Sequence, residues 1–131
     1  MFYKTRERKA LDNLLKHIQD PSVIKGRKDI MEQRIYFIAG PMSGIPNDNK
    51  AEFFKAERWL KNIMLFAVVL NPAKNPPGLT DEQYMELCKP MIKVATHVYF
   101  LKGWLKSSGA ITEHGWAQEY EKIIEYQQES Y

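Results

Sequence analysis

The stretch Arg34–Gly44, "RIYFIAGPMSG", decides the fold. Ile35 to Ala39 are β-branched, aromatic or small, and the run stops dead at a glycine, as a strand buried on both faces does. The next residues, "PMSGIPNDN", have the Pro, Gly, Asn and Asp content of a loop. Two further runs of the same kind follow, "FAVVLNP" and "HVYFL". Between them lie helical patterns. Asn49 with Glu52 predicts a helix start, and Phe53, Ala56, Leu60 and Ile63 form its apolar stripe. Thr80 with Gln83 predicts a capping box ahead of "DEQYMELCKPMIKVA", in which Pro90 is expected to kink or split the helix. A last helix is expected over residues 110–120, and "KIIEYQ" reads either as its continuation or as a fourth strand. Strand, helix, strand, helix, strand, helix calls for right-handed crossovers and a parallel sheet covered on both faces.

The flanks and totals set the frame. The chain has 131 residues, 44% hydrophobic and 27% charged, as expected of a single soluble globular domain. Its net charge of +3 is uneven: residues 1–30 hold eight Lys/Arg against four Asp/Glu, a net +4, and the remainder is at −1. Leu11, Leu14, Leu15 and Ile18 share one helical stripe, and Asp20-Pro21 ends that helix. Residues 1–30 are therefore read as a helical extension with a linker, and residues 31–131 as the main domain. An apolar stripe needs a cover, either the helices of its own domain or a neighbouring subunit, and a homo-oligomer is expected over a monomer. Mixed charge makes nucleic acid a poor match for that segment. No membrane span or signal peptide is expected, and the lone Cys88 fits a reducing, cytoplasmic setting.

In an open parallel sheet, ligands bind beyond the carboxyl ends of the strands. The loops there are "AGPMSGIP", "NPAKNPPG" and "KGWLKSSGA", and all are rich in small, turn-forming residues. The first matches neither a dinucleotide fingerprint nor a P-loop. The third leads to Glu113. At about 100° per residue Glu113 lies ~40° from Ala117 and ~60° from Ala110, on the small-residue face expected to pack on the sheet. In the first helical turn its carboxylate is expected to stay ionised, as a carboxylate nucleophile must. The plainer reading is a glutamate that only stabilises the helix dipole. His114 points ~100° away, and one His beside one Glu makes no metal site. Trp59 and Trp116 are expected to pack in the core, while Trp104 can line a pocket.

"IYFIAGPMSG", "GLTDEQYM" and "YFLKGWLKSSGAITEHGWA", in this order and spacing, resemble a small family of phage and bacterial domains related to nucleoside 2-deoxyribosyltransferases and 2′-deoxynucleoside 5′-phosphate N-hydrolases. The resemblance covers roughly residues 33–126. It implies a flavodoxin-like or Rossmann-like parallel sheet in the order 2-1-3-4 with "KIIEYQ" as the last strand. It also implies Glu113 as the nucleophile at the anomeric carbon, Ser107 as a 5′-phosphate ligand, and the loop Gly40 to Gly44 around the sugar or phosphate. The expected substrate-binding positions are thus Gly40, Met42, Ser43, Gly44, Asn71, Cys88, Trp104, Ser107 and Gly109, with no metal or organic cofactor. Where such proteins usually carry aspartates, this chain has Cys88 and Thr96. Two functions are therefore expected in competition. One is N-glycosidic cleavage or deoxyribosyl transfer on a nucleoside or its 5′-monophosphate. The other is a non-catalytic nucleotide-binding protein that kept the pocket, located in the host cytoplasm if a phage encodes it.

Overall fold

The computed structural model describes residues 34–128. The expected N-terminal helix, and the assembly expected of it, lie outside the described residues. Four parallel strands form one sheet: β1 (Ile35–Ala39), β2 (Val68–Leu70), β3 (His97–Phe100) and β4 (Ile123–Tyr126), in the order β2-β1-β3-β4. Tyr36 pairs in register with Val69 on one side and His97 on the other. "KIIEYQ" is a strand, with Val98 opposite Ile124 and Phe100 opposite Tyr126. This is the expected order and fold class. Among the described residues no helix is long and apolar enough to cross a membrane.

Successive strand residues point to opposite faces, and both faces are covered. Tyr36, Ile38, Tyr99 and Leu101 pack with Phe53, Ala56 and Leu60 of helix α1 (Lys50–Ile63). Phe37, Ala39, Val98 and Phe100 pack with Cys88 and Ile92 of α2 (Asp81–Val94) and Ala117 of α3 (Ser108–Glu119). Burial on both faces explains why the β1 run is apolar throughout rather than alternating.

The capping box of α2 forms as the spacing requires: Gln83 N–H donates to Thr80 Oγ1 at 3.1 Å and Thr80 N–H to Gln83 Oε1 at 2.9 Å. Pro90 does not split α2, which runs unbroken to Val94. Pro90 and Glu86 are both exposed, so the carbonyl that loses its donor faces water, and the cost falls. The start of α1 also differs from expectation. Asn49 has φ 60° and does not cap the helix; its Nδ2 donates to Pro41 O at 2.9 Å and ties the first loop down. Asn47 and Asp48 share this left-handed conformation, which Asn and Asp tolerate better than most residues.

A polar cluster sits under β2. Asn71 Nδ2 donates to Glu57 Oε1 at 2.9 Å, while Lys61 and Lys74 reach Glu57 Oε2 at 2.7 and 2.9 Å. Burial pushes the Glu57 carboxyl up, but these bonds outweigh it and hold it at about 2. The cluster's contribution is therefore complete above pH ~4.5 and fades as pH falls through about 2. Asn71 also accepts from Ala73 N–H at 2.9 Å. Asn71→Ala leaves both partners short and is expected to cost about 1–3 kcal/mol in urea denaturation at pH 7. An unchanged midpoint would show that the cluster is ornamental to the fold.

Candidate active site

The loops that follow β1, β2 and β3 meet at one edge of the sheet and enclose a cavity of about 520 Å³. Gly40 makes the meeting possible. A Cβ there would stand 2.8 Å from Leu101 Cβ, so any side chain would push the first and third loops apart. The cavity is lined by Gly40, Met42 and Ser43 of the first loop, Cys88 of α2, and Ser107, Gly109 and Glu113 of the third loop and α3. A second cavity, of about 460 Å³, lies across Ser43, Lys106 and Ser107, which line both.

Ser107 is the N-cap of α3: its Oγ accepts from Ala110 N–H at 3.2 Å. That leaves the hydroxyl hydrogen free to donate into the cavity. Ser43 donates to Asp81 Oδ1 at 2.9 Å, which joins the first loop to the start of α2.

Glu113 shares the buried side of α3 with Ala110 and Ala117, as its angular spacing requires. Its ionisation differs from expectation. The helix begins at Ser108, so Glu113 falls in the second turn, and no acidic residue occupies the first. The free N–H groups and the positive end of the dipole act over the first turn only. Glu113 is 6% exposed, and burial pushes its carboxyl up to about 8 although the Cys88 thiol donates a hydrogen bond that favours the charged form. Burial wins. The same surroundings, with Glu113 itself beside it, push the Cys88 thiol far up. At neutral pH the floor of the cavity is therefore a neutral carboxyl against a neutral thiol.

Three expected ligand positions lie outside this cavity. Asn71 is buried in the Glu57 cluster. Gly44 serves its turn, at φ +82° with nothing near it. Trp104 stacks on His114 with ring centroids 4.4 Å apart and packs against Phe100 and Tyr126. His114 in turn is hydrogen-bonded to the Tyr126 hydroxyl at 2.8 Å. These aromatics meet only because β4 pairs beside β3. Thr96 is at the other end of the sheet, where it bonds Ile35 N–H at 2.8 Å and His97 Nδ1 at 2.7 Å. The missing aspartate at that position therefore has no bearing on the cavity.

Sequence reasoning missed Asp81, Lys106 and Asn75 in the cavity wall. Asp81 had a signal, because the Thr80 cap fixes it in the first turn of a helix facing the strand ends. Lys106 and Asn75 had none beyond their place in the loops. Among the described residues no group of three or more His, Cys, Asp or Glu side chains is placed to hold a metal ion.

Against known proteins, a family model described as "Domain of unknown function (DUF4406)" matches residues 33–126. The chain belongs to this family. No curated protein sequence matches this DUF4406 chain. Among solved structures, a 2-desoxiribosyltransferase from Leishmania mexicana is similar, with a TM-score of 0.57 and 18% identity over 71% of this chain and 63% of that one. The DUF4406 chain thus spans a little under two thirds of that protein, and at this identity the likeness is one of fold.

Proposed function

We propose that this DUF4406 protein cleaves the N-glycosidic bond of a deoxynucleoside or its 5′-monophosphate, with Glu113 as nucleophile. The supporting observation is a single buried carboxyl, Glu113, lining the cavity beside Cys88, Ser107 and Gly109, while the charged residues of the wall, Asp48, Lys50, Asp81, Glu82 and Lys106, are not buried. A Glu113 oxygen bonds to the anomeric carbon as the bond to the base nitrogen breaks. The base leaves with the electron pair and takes up a proton. Water then attacks the same carbon, loses a proton, and returns Glu113 as a carboxylate; a second base in place of water makes the reaction a transfer. Ser107 donates to the sugar or phosphate, and Ser43 with Asp81 holds the first loop over it. The fold shared with a 2-desoxiribosyltransferase supports this reading.

Only the ionised carboxyl attacks, so kcat/KM is expected to rise about tenfold per pH unit up to about 8 and then level. The direct test incubates the protein with a panel of deoxynucleosides and their 5′-monophosphates and looks for free base. Release supports the proposal. Saturable binding without release supports a nucleotide-binding protein instead, a reading favoured by the Glu113–Cys88 pair, which is mostly neutral at pH 7 and can donate hydrogen bonds to a ligand.

Cys88→Asp separates the two. Two carboxyls in contact share a proton and carry one negative charge at neutral pH, so the floor of the cavity gains the carboxylate that burial denies Glu113. Base release at pH 7 is expected to rise several-fold. A binding protein gains no turnover from the same change.

A further inference from the structure

Among the described residues two buried polar side-chain atoms have no hydrogen-bond partner, the Tyr36 hydroxyl and Asn75 Nδ2. Tyr36 lies within the sheet, near the charges of Arg34 and Glu125. Asn75 is different, because it lines the cavity that holds Glu113. An unpaired buried donor costs stability, and native structures keep few of them without a use.

We propose that the Asn75 amide is a specificity-determining group that donates a hydrogen bond to an acceptor on the edge of the ligand's nucleobase. The inference rests on Glu113 attacking the anomeric carbon. Asn75 follows β2 and Glu113 follows β3, with β1 between them. The two loops therefore leave the sheet roughly 10 Å apart. A sugar whose anomeric carbon meets Glu113 can direct its base along this span. The cavity's lining includes apolar residues that suit the faces of a base, among them Met42, Pro72 and Leu79. A base so directed presents its hydrogen-bonding edge towards the loop that carries Asn75. Nδ2 itself is shielded from solvent while the residue as a whole is only half-buried, so the amide presents its donor to the ligand by turning about its broad terminal torsion.

The test is calorimetric titration with 2′-deoxyinosine and 2′-deoxyadenosine, which differ by a carbonyl or an amino group on the same edge. Thymidine and 2′-deoxycytidine provide the same contrast for pyrimidines. Wild type and Glu113→Gln are both used, the latter so that no ligand is consumed. Asn75→Asp keeps the shape and removes the donor. It is expected to lower the preference for the carbonyl member of a pair by about ten- to a hundredfold. Asn75→Ala is expected to weaken both members while leaving the urea midpoint unchanged or raised, because an unpaired donor has been removed. A lowered midpoint with unchanged binding would make Asn75 structural and overturn the inference. Binding of a pair with the same preference in wild type and Asn75→Asp also overturns it, leaving Glu113's role intact. If neither these nucleosides nor their 5′-monophosphates bind, the function proposed above falls and this inference with it.

Discussion

Glu113→Gln is expected to lower base release by at least ~10³-fold, the scale seen when one member of a catalytic unit is removed. Glutamine has the same shape and can still accept the Cys88 thiol hydrogen, so packing against Ala110 and Ala117 is retained. It cannot form the ester to the anomeric carbon. Affinity for the ligand is expected to change little, because the lost interaction belongs to the bond-making step rather than to binding. The effect should appear in kcat with KM nearly constant. Base release that survives the substitution would remove Glu113 from the reaction.

The same substitution has a second large effect, on stability. The folded state raises the Glu113 carboxyl from its ordinary value of 4.5 to about 8. Below pH ~4.5 the carboxyl is protonated in both the folded and the unfolded chain, and stability from this group is complete. As pH rises, the unfolded chain ionises first, and stability is lost progressively until the folded pKa of about 8 is passed. The total loss is on the order of a few kcal/mol. The glutamine of the variant does not titrate. Urea midpoints of wild type and variant should therefore be close at about pH 5 and separate by about pH 9, with the variant the more stable. Glu57 and His97 titrate alike in both proteins and cancel in the difference. A constant difference across this range would mean that Glu113 is not held neutral by burial.

The sequence carried the scaffold well because its determinants are local. "IYFIA" needs no partner to read as a strand buried on both faces, and Thr80-x-x-Gln83 completes its hydrogen bonds within one turn. The spacing of Ala110, Glu113 and Ala117 likewise places the glutamate on the buried side of its helix. Sequence and structure part where a side chain finds its partner far along the chain. Asn49 has the spacing of a cap but reaches back to Pro41. Asn71 stands in a pocket-forming loop but satisfies Glu57, fourteen positions earlier. Trp104 faces His114 and Tyr126, which come together only through sheet pairing. The ionisation of Glu113 turns on a smaller matter. A helix start at Ser108 rather than at residue 110 moves the carboxyl out of the first turn, and burial then outweighs the dipole.

The most direct measurement of the central claim is a search for the covalent intermediate. The protein is mixed with a deoxynucleoside or 5′-monophosphate that it consumes, quenched in acid within one turnover, and digested for mass spectrometry. The expected result is a deoxyribosyl or phosphodeoxyribosyl adduct on the peptide containing Glu113, absent from Glu113→Gln. An adduct on another residue, or base release with no adduct at any quench time and unchanged rate in Glu113→Gln, would contradict the assignment of Glu113 as nucleophile.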